Sequence, residues 1–502
     1  ALSGFLPKKQ IKVNKTFQYL FGVGDEAYKP IFYSSNRENE SKSLRDRTLK
    51  ETIRPDPIVL KDFIKFFKNN IKHLLPKTYK YGVHEKPFDE YLKNSNARPS
   101  VKKILQKTFE ELTKMQLNSH SGLSQYQRRK WSKRKAFVKV ENLNYMSDHD
   151  LLIKSPRMIQ GAAAEFICLI GPWMASFQDK VKRDLNANNF VCFTSGVDTF
   201  KAAQNLVSLG GTMVEDDVSS WDISMCREIM ELECWMFEYF KCPLAVSMLC
   251  RANIDTKGVT SNGYFFFAKG RRKSGDPYTS LGNSIFNAMF HLYIVWKEKG
   301  TSMSQMRCLL RMLVQGDDNA MSLPSSWKKI DFKKWMYLLG FKAKAVYRVR
   351  WIDVEFCSMR LYPVLEGWTF APKVGKVLSK FGFFVDPPFI NPKQLVRGTV
   401  LGLINGVSFI EPFNIVMTHL MKLTDGVKAI PFTREEWQMR FSKCTATADT
   451  YYALSQIYSW DSGMREIFTK EISNTKLGSN TVGPVFRWLC DTDTAGRQKC
   501  CH

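Results

Sequence analysis

Two apolar runs separated by four turn-forming residues constrain this chain more than any other stretch. Cys308, Leu309, Leu310, Met312, Leu313 and Val314 precede Gly316-Asp317-Asp318-Asn319, and Ala320, Met321 and Leu323 follow it. The pattern predicts a β-hairpin with Gly-Asp-Asp-Asn at its tip. Adjacent carboxylates between buried strands repel each other and resist desolvation. A divalent cation removes both penalties. Asp and Asn are also common turn residues, so an ordinary acidic turn is the alternative. A second carboxylate site and a substrate cradle elsewhere in the chain decide between the two.

The segment Gly211 to Ser224 supplies the second carboxylate site. Thr212, Met213 and Val214 predict a short strand running into Glu215, Asp216 and Asp217, with a turn after it. Asp217 is placed just past the strand end, where a rigid element holds a ligand well. Asp222 is placed at the start of a helix, from about Met225 to Phe240, where it can face a sugar. Asp216 reads as a bystander. Further on, Ser261-Asn262-Gly263 predicts a hairpin turn. A Ser274-Gly275 loop then enters a long helix from about Tyr278 to Lys297. Thr279, Asn283 and Asn287 are four apart and share one face of it, which a polar cleft explains better than a solvent-facing stripe.

The net charge of +26, from 74 Lys and Arg against 48 Asp and Glu, implies a polyanionic partner, either nucleic acid or an anionic membrane surface. The densest basic run is Arg128, Arg129, Lys130, Lys133, Arg134 and Lys135, with Tyr126 and Trp131 among them. Strands at Ala136–Val140 and ending at Ile159 predict a ribbon with Lys139, Lys154 and Arg157 on one side, suited to a triphosphate. A generic nucleic-acid-binding face is the alternative. Before this lies an amphipathic helix, Ile58 to Leu75. A loop at Ser95–Ser100 offers Arg98 as a template contact.

Beyond the acidic hairpin, a helix at Trp335–Leu339 ends at Gly340 and a strand follows at Phe341–Val346. Val354–Ser358 and Trp368–Phe370 flank a turn at Leu365-Glu366-Gly367. From Pro392 helices are expected at Leu395–Ile404, Phe413–Leu423, Glu435–Phe441 and Asp449–Trp460, as a separate helical subdomain. The most apolar stretch, Ala162 to Phe177, contains Glu165 and Pro172, which argues against a membrane span. No secretory signal is read. Twelve cysteines without a CxxC pair read as reduced residues of a cytosolic protein. Cys490, Cys500, Cys501 and His502 read as a loose tail rather than a zinc site. A start at Ala1 rather than Met suggests a segment cut from a longer product.

Together these segments resemble the viral RNA-dependent RNA polymerases of positive-strand RNA viruses, most closely the tombus- and noda-like kind. Asp217 to Asp222 is similar to their first catalytic motif, Ser274-Gly275 with Thr279 and Asn283 to the second, and Gly316-Asp317-Asp318 to the third. Lys139, Lys154 and Arg157 resemble the basic motif that meets the incoming nucleotide, and Phe356-Cys357-Ser358 the motif at the palm–thumb junction. The five occur in the family's order between about Lys139 and Ser358.

The resemblance implies an α/β (α+β) right-hand fold of fingers, palm and thumb, closed by finger extensions. Residues 1–120 would form an N-terminal extension and fingers, and 121–210 the fingers with the basic motif. Residues 211–256 would be palm, 257–273 a return to the fingers, 274–370 palm again, and 371–502 a helical thumb and tail. It further implies Mg²⁺, with Mn²⁺ as a substitute, on Asp217, Asp317 and Asp318. Lys139, Lys154 and Arg157 would meet the triphosphate, and Ser274 and Thr279 would also face the nucleotide. Asp222 and Asn283 would read the ribose 2′-hydroxyl, selecting RNA precursors. Gly275, Arg128, Arg129 and Arg98 would meet the template. Lys344, or alternatively Lys342, would protonate pyrophosphate. The implied partners are RNA template and product, ribonucleoside triphosphates, and other replicase proteins that attach the enzyme to membranes in the host cytoplasm.

A reverse transcriptase is the nearest rival. Its hairpin normally carries an aromatic residue two places before the first Asp, where this chain has Gln315. A coat or other non-enzymatic RNA-binding protein would explain the charge, but not aspartates kept amid so many cations.

Overall fold

The computed structural model describes residues 2–5, 16–18, 32–140, 155–385, 391–430, 441–477 and 483–494, the first two segments by backbone alone. Its organising sheet runs in the order Lys342–Ala343, Thr212–Ser219, Asp318–Leu323, Arg311–Gln315, Val191–Phe193, with Val346–Arg348 also pairing onto Thr212–Ser219. The predicted hairpin is present, but its loop is only Gly316-Asp317. Gln315 already pairs with Asp318, and Gly316 takes the positive φ of 63° that the tight turn needs. Asp318 and Asn319 are therefore strand residues, not tip residues.

The strand predicted at Thr212–Val214 continues to Ser219, so Asp217 lies within it rather than past its end. It persists through three acidic residues because both its edges are paired, by Asp318–Leu323 on one side and by Lys342–Ala343 and Val346–Arg348 on the other. The strand predicted at Phe341–Val346 is split by Lys344 and Ala345. There the Lys344 amide donates to Asp217 O (3.1 Å) and Asp216 Oδ1 (3.0 Å). The helix before it spans Phe332–Leu338, with Gly340 at φ 92°.

Apolar residues cover both faces of this sheet. Val214, Val218, Met312, Val314 and Met321 join the largest core, which includes the long helix Thr279–Lys299 and the helix Pro57–Leu74. Phe63 of the latter packs 4.5 Å from Phe290 and 5.6 Å from Tyr293, centroid to centroid. Cys192, Met213, Leu313 and Ala320 face the opposite way, against Val354, Phe356, Leu361 and Phe370.

A second sheet has the order Leu2–Phe5, Tyr264–Lys269, Asp255–Thr260, Arg134–Val138, Met158–Ala162. The turn predicted at 261–263 joins two of its strands. The strand expected at Ala136–Val140 lies two residues earlier because Arg134 is an inward-facing residue. Its guanidinium is buried 2.6 Å from Asp276 and 2.5 Å from Asn253, so it does not belong to the solvated cationic run.

In a third sheet Met359–Val364 pairs with Gly367–Pro372, and Glu355–Phe356 folds back on Met359–Val364 through Cys357 and Ser358, both at positive φ. The strand partner of residues 367–372 is thus 359–364, not the predicted 354–358. Helices Pro392–Val407, Glu411–Leu423 and Ala448–Tyr458 match three of the expected ones, and Ser462–Ser473 and Pro484–Thr494 add two. The helix expected at 435–441 lies outside the described residues, apart from Phe441. These helices do not form a core of their own: Ile352, Tyr362, Val364 and Ala371 complete it. Cys490 is buried in the last helix rather than part of a tail; Cys500, Cys501 and His502 lie outside the described residues. The described cysteines are all free. Among the described residues no helix is long and apolar enough to cross a membrane.

Candidate active site

Strand register brings the two acidic segments together. Asp217 is the direct partner of Asp318, and Asp216 of Asn319. Directly opposed residues of an antiparallel pair share a face, and successive residues alternate between faces. Asp217 and Asp318 therefore project from one face, with Asp317 beside them at the turn. Asp216 and Asn319 project from the other and are buried.

Electrostatics agrees with this convergence. Burial and the neighbouring Asp317 carboxylate push Asp318 up to about 6, with Asp217 adding to the rise. Asp317 reaches solvent, yet desolvation and then Asp222 and Asp217 raise it too, and Arg157 opposes them. Lys344 Nζ lies 3.3 Å from Asp217 Oδ2 at an exposed position. Lys342 is paired opposite Ser219, farther along the strand.

Behind the sheet is a network that the sequence reading missed. His291 is fully buried, with Nε2 3.1 Å from Asp216 Oδ2 and Nδ1 2.9 Å from Asn287 O. Facing a carboxylate, Nε2 carries a proton. Asn319 donates to Asn287 Oδ1 (3.0 Å), and Asn287 in turn donates to the carbonyls of Gly316 (3.1 Å) and Asp318 (3.4 Å). Asp216 is thus no bystander. It joins the long helix to the strand that carries Asp217 and to the Lys344 amide. The only hint in the sequence is that His291 lies four residues beyond Asn287, on the same helical face.

A short helix Trp221–Ser224 holds Asp222, separate from the longer Arg227–Tyr239 into which it was expected to lead. Asn283 Nδ2 donates to Asp222 Oδ1 at 2.9 Å, while Asn283 Oδ1 is buried with no hydrogen-bond partner among the described residues. Ser274 Oγ donates to Met158 O (2.7 Å) and Thr279 Oγ1 to Lys273 O (2.8 Å), so both hydroxyls hold the loop in place. At Gly275 a Cβ would collide with the backbone of Gln160. In this structure the close approach at that glycine is to the strand Met158–Ala162, where the template was expected.

The arrangement is acid-rich, cation-flanked and built from segments far apart in the chain, and part of the chain is similar to known proteins. Residues 154–342 match the family model described as viral RNA-dependent RNA polymerase. That stretch is similar to a viral RNA-dependent RNA polymerase domain. The chain is 25% identical over 170 residues to the genome polyprotein of classical swine fever virus (strain Brescia), covering 31% of this chain and 4% of that one. It is 24% identical over 254 residues to the RNA-directed RNA polymerase of Panicum mosaic virus (strain United States/Kansas 109S), covering 46% of this chain and 24% of that one. The chain thus spans about a quarter or less of the length of these relatives.

Other residues expected at the site are placed unevenly around the paired aspartates. The Lys139 amide donates to Arg157 O (2.7 Å), which puts both at the same end of the strand pair, and Arg157 lies near enough to act on Asp317. Lys154 lies outside the described residues. Arg128 and Arg129 are on the helix Gln125–Trp131, which packs on the helices Ala164–Asp184 and Leu244–Ala252 rather than on the aspartate strands. Arg98 is exposed at the start of the helix Pro99–Lys114. Two groups not expected there do approach: the Cys357 thiol donates to Asp318, and Lys376 acts on Asp318 and donates to Ser358 Oγ (2.6 Å).

As the side chains stand, no group of three His, Cys, Asp or Glu among the described residues is closed around a metal ion. The set of donors that Asp217, Asp317 and Asp318 offer nevertheless suits one. Its candidate donors are hard carboxylate oxygens, as Mg²⁺ prefers, and two of them are raised by burial and by mutual crowding that a cation would relieve.

The sign of that crowding is testable. A carboxylate raised in the folded state stabilises the fold while protonated, and that contribution is lost as pH rises through its folded value. With chelator present, Asp318→Asn is expected to be more heat-stable than the wild type at pH 7. The difference should shrink as pH falls through about 6 and vanish below the ordinary carboxylate range near 4. Thermal unfolding across that range checks this; a constant difference would show that Asp318 is not crowded.

Proposed function

We propose that the chain is an RNA-directed RNA polymerase that joins ribonucleoside triphosphates on an RNA template and so replicates the genome of a positive-strand RNA virus. The observation that carries this reading is the register pairing of Asp217 with Asp318, with Asp317 alongside. In-line phosphoryl transfer asks for positioning and charge neutralisation more than covalent chemistry. When bound, divalent cations (Mg²⁺, or Mn²⁺ in its place) held by Asp217, Asp317 and Asp318 supply activation of the 3′-oxygen and neutralisation of the triphosphate.

The chain's own residues do the rest. Arg157 and Lys139, with Lys154, attract and orient the triphosphate. Asn283, fixed by Asp222, keeps Oδ1 open to accept a hydrogen bond from a ribose 2′-hydroxyl. A deoxyribose leaves that buried acceptor unpaired, at a cost of about 1–3 kcal/mol. Lys344, beside Asp217, is better placed than Lys342 to give a proton to departing pyrophosphate. Ser274 and Thr279 keep the loop before the long helix in register, and Gly275, Arg128, Arg129 and Arg98 are assigned to the path of the RNA. In a right-hand arrangement the sheet built on Thr212–Ser219 is the palm, the sheet with Arg134–Val138 belongs to the fingers, and the helices from Pro392 form the thumb. Membrane attachment through other replicase proteins, in the host cytoplasm, belongs to the same reading.

The test is direct. Purified chain incubated with a defined RNA, the four ribonucleoside triphosphates and Mg²⁺ should yield a complementary RNA, and chelation should stop it. Absence of any template-dependent product with Mg²⁺ or Mn²⁺, on primed and unprimed RNA alike, would overturn the proposal.

A further inference from the structure

The pair Asp222–Asn283 is held from behind by a buried ion pair that belongs to neither motif. Arg272 and Glu233 are almost fully enclosed, with side-chain exposures of 0% and 1%. They meet fork to fork, Nη1 to Oε2 at 2.9 Å and Nη2 to Oε1 at 2.7 Å. A bidentate guanidinium–carboxylate pair fixes a plane as well as a distance. Each member of the sugar pair is tied to the residues of that ion pair by a separate route. The Arg272 amide donates to Asp222 O at 3.2 Å. The long helix lies directly on the fork at Gly282, one residue before Asn283. A Cβ at Gly282 would collide with Glu233 Oε1 and come within 3.0 Å of Arg272 Nη2. Gly282 is therefore the residue that lets the helix approach a charged pair so closely. The Tyr278 ring, 5.9 Å from the guanidinium carbon, closes another side.

We propose that the Glu233–Arg272 pair determines sugar specificity by setting the spacing of Asp222 and Asn283, and that both act as positioning residues. The inference rests on the polymerase reading and on the assignment of Asn283 to the 2′-hydroxyl. A buried pair kept only for stability would change turnover on all nucleotides alike. A pair that sets the separation of Asp222 and Asn283 changes the ratio of ribonucleotide to deoxyribonucleotide use. Shifting Asn283 Oδ1 weakens its contact with the 2′-hydroxyl and leaves no contact with a deoxyribose to lose.

The experiment compares kcat/KM for ATP and 2′-deoxy-ATP on one RNA template in five proteins: wild type, Arg272→Lys, Glu233→Gln, the double variant Glu233→Leu/Arg272→Met, and Asn283→Ala. The double variant is included because apolar replacement of a whole buried pair is often tolerated where loss of one partner is not. Thermal unfolding identifies the variants that fold. The discrimination ratio is expected to fall at least about fivefold in Arg272→Lys and in the double variant, mostly through the ATP term, as it does in Asn283→Ala. A ratio within about twofold of wild type in every folded pair variant, alongside a lowered ratio in Asn283→Ala, would overturn this inference alone. An unchanged ratio in Asn283→Ala would remove the sugar-checking assignment, and the inference with it.

Discussion

Asp317→Asn is expected to lower nucleotide incorporation by roughly a thousandfold or more while leaving RNA affinity within about twofold. The substitution keeps the shape of the turn, since Asn is well suited to it, and removes one negative charge from a cluster in which Asp217, Asp222, Asp317 and Asp318 act on one another. That charge matters only to a cation and to the transition state it stabilises. RNA binding depends on the sum of the basic residues, because phosphate contacts and counterion release dominate it. Loss of one carboxylate from a chain of net charge +26 leaves that sum essentially intact. Rapid-quench incorporation and filter binding on the same preparation separate the two quantities. Near wild-type incorporation would remove Asp317 from the chemistry. A parallel loss of binding would show that the turn holds the RNA rather than the reaction.

The second large effect is expected at a residue that touches no substrate. Asp216→Ala removes the partner of His291 Nε2 and one of two acceptors of the Lys344 amide. Loss of this acceptor leaves the buried His291 Nε2 without a hydrogen-bond partner, at a cost of about 1–3 kcal/mol. The variant should unfold several degrees lower and lose at least tenfold in incorporation, since Lys344 and the strand bearing Asp217 lose a shared anchor. Asp216→Asn is the informative control. Its Oδ1 still accepts from the Lys344 amide, and its amide nitrogen can donate to a neutral His291 Nε2. It should therefore retain most stability and activity. Thermal unfolding and steady-state incorporation measure both. If Asp216→Ala behaves like the wild type, the network behind the sheet has no part in holding the site.

These two residues mark the boundary of what the sequence discloses. Asp317 is legible because its neighbours differ so much from it: apolar strands on either side of a polar turn leave few conformations. Asn283 and Asn287 are legible for a similar reason, as polar groups at helix spacing where apolar ones would pack better, and Asp217 as an acidic residue following a short apolar strand. Asp216 is not, because one residue of strand alternation separates an exposed carboxylate from a buried anchor. The local pattern ended the strand too early to show which was which. Only the pairing of both edges, by segments more than a hundred residues downstream, carries the strand through its acidic stretch.

Buried ions are hidden in the sequence for a related reason. Arg134 stands in a run of cations that looks solvated, yet its partners Asp276 and Asn253 come from two distant segments. Arg272 and Glu233 give no local sign of each other, and a charged residue looks like a surface residue until its partner is known. The glycines at 275 and 282 were legible as turn or helix positions. What makes each necessary is a neighbour from elsewhere in the chain, the Gln160 backbone in one case and the Glu233–Arg272 fork in the other.

Single-nucleotide incorporation opposite each of the four template bases, by the wild type and by Asp217→Asn, tests the central claim most directly. The wild type should add the complementary ribonucleotide, change its choice when the template base is changed, and require a divalent cation. Asp217→Asn should do none of this while still binding the RNA. Incorporation that ignores the template base, or that survives in Asp217→Asn, would contradict the assignment of the paired strands Thr212–Ser219 and Asp318–Leu323 as the catalytic centre of an RNA-directed RNA polymerase.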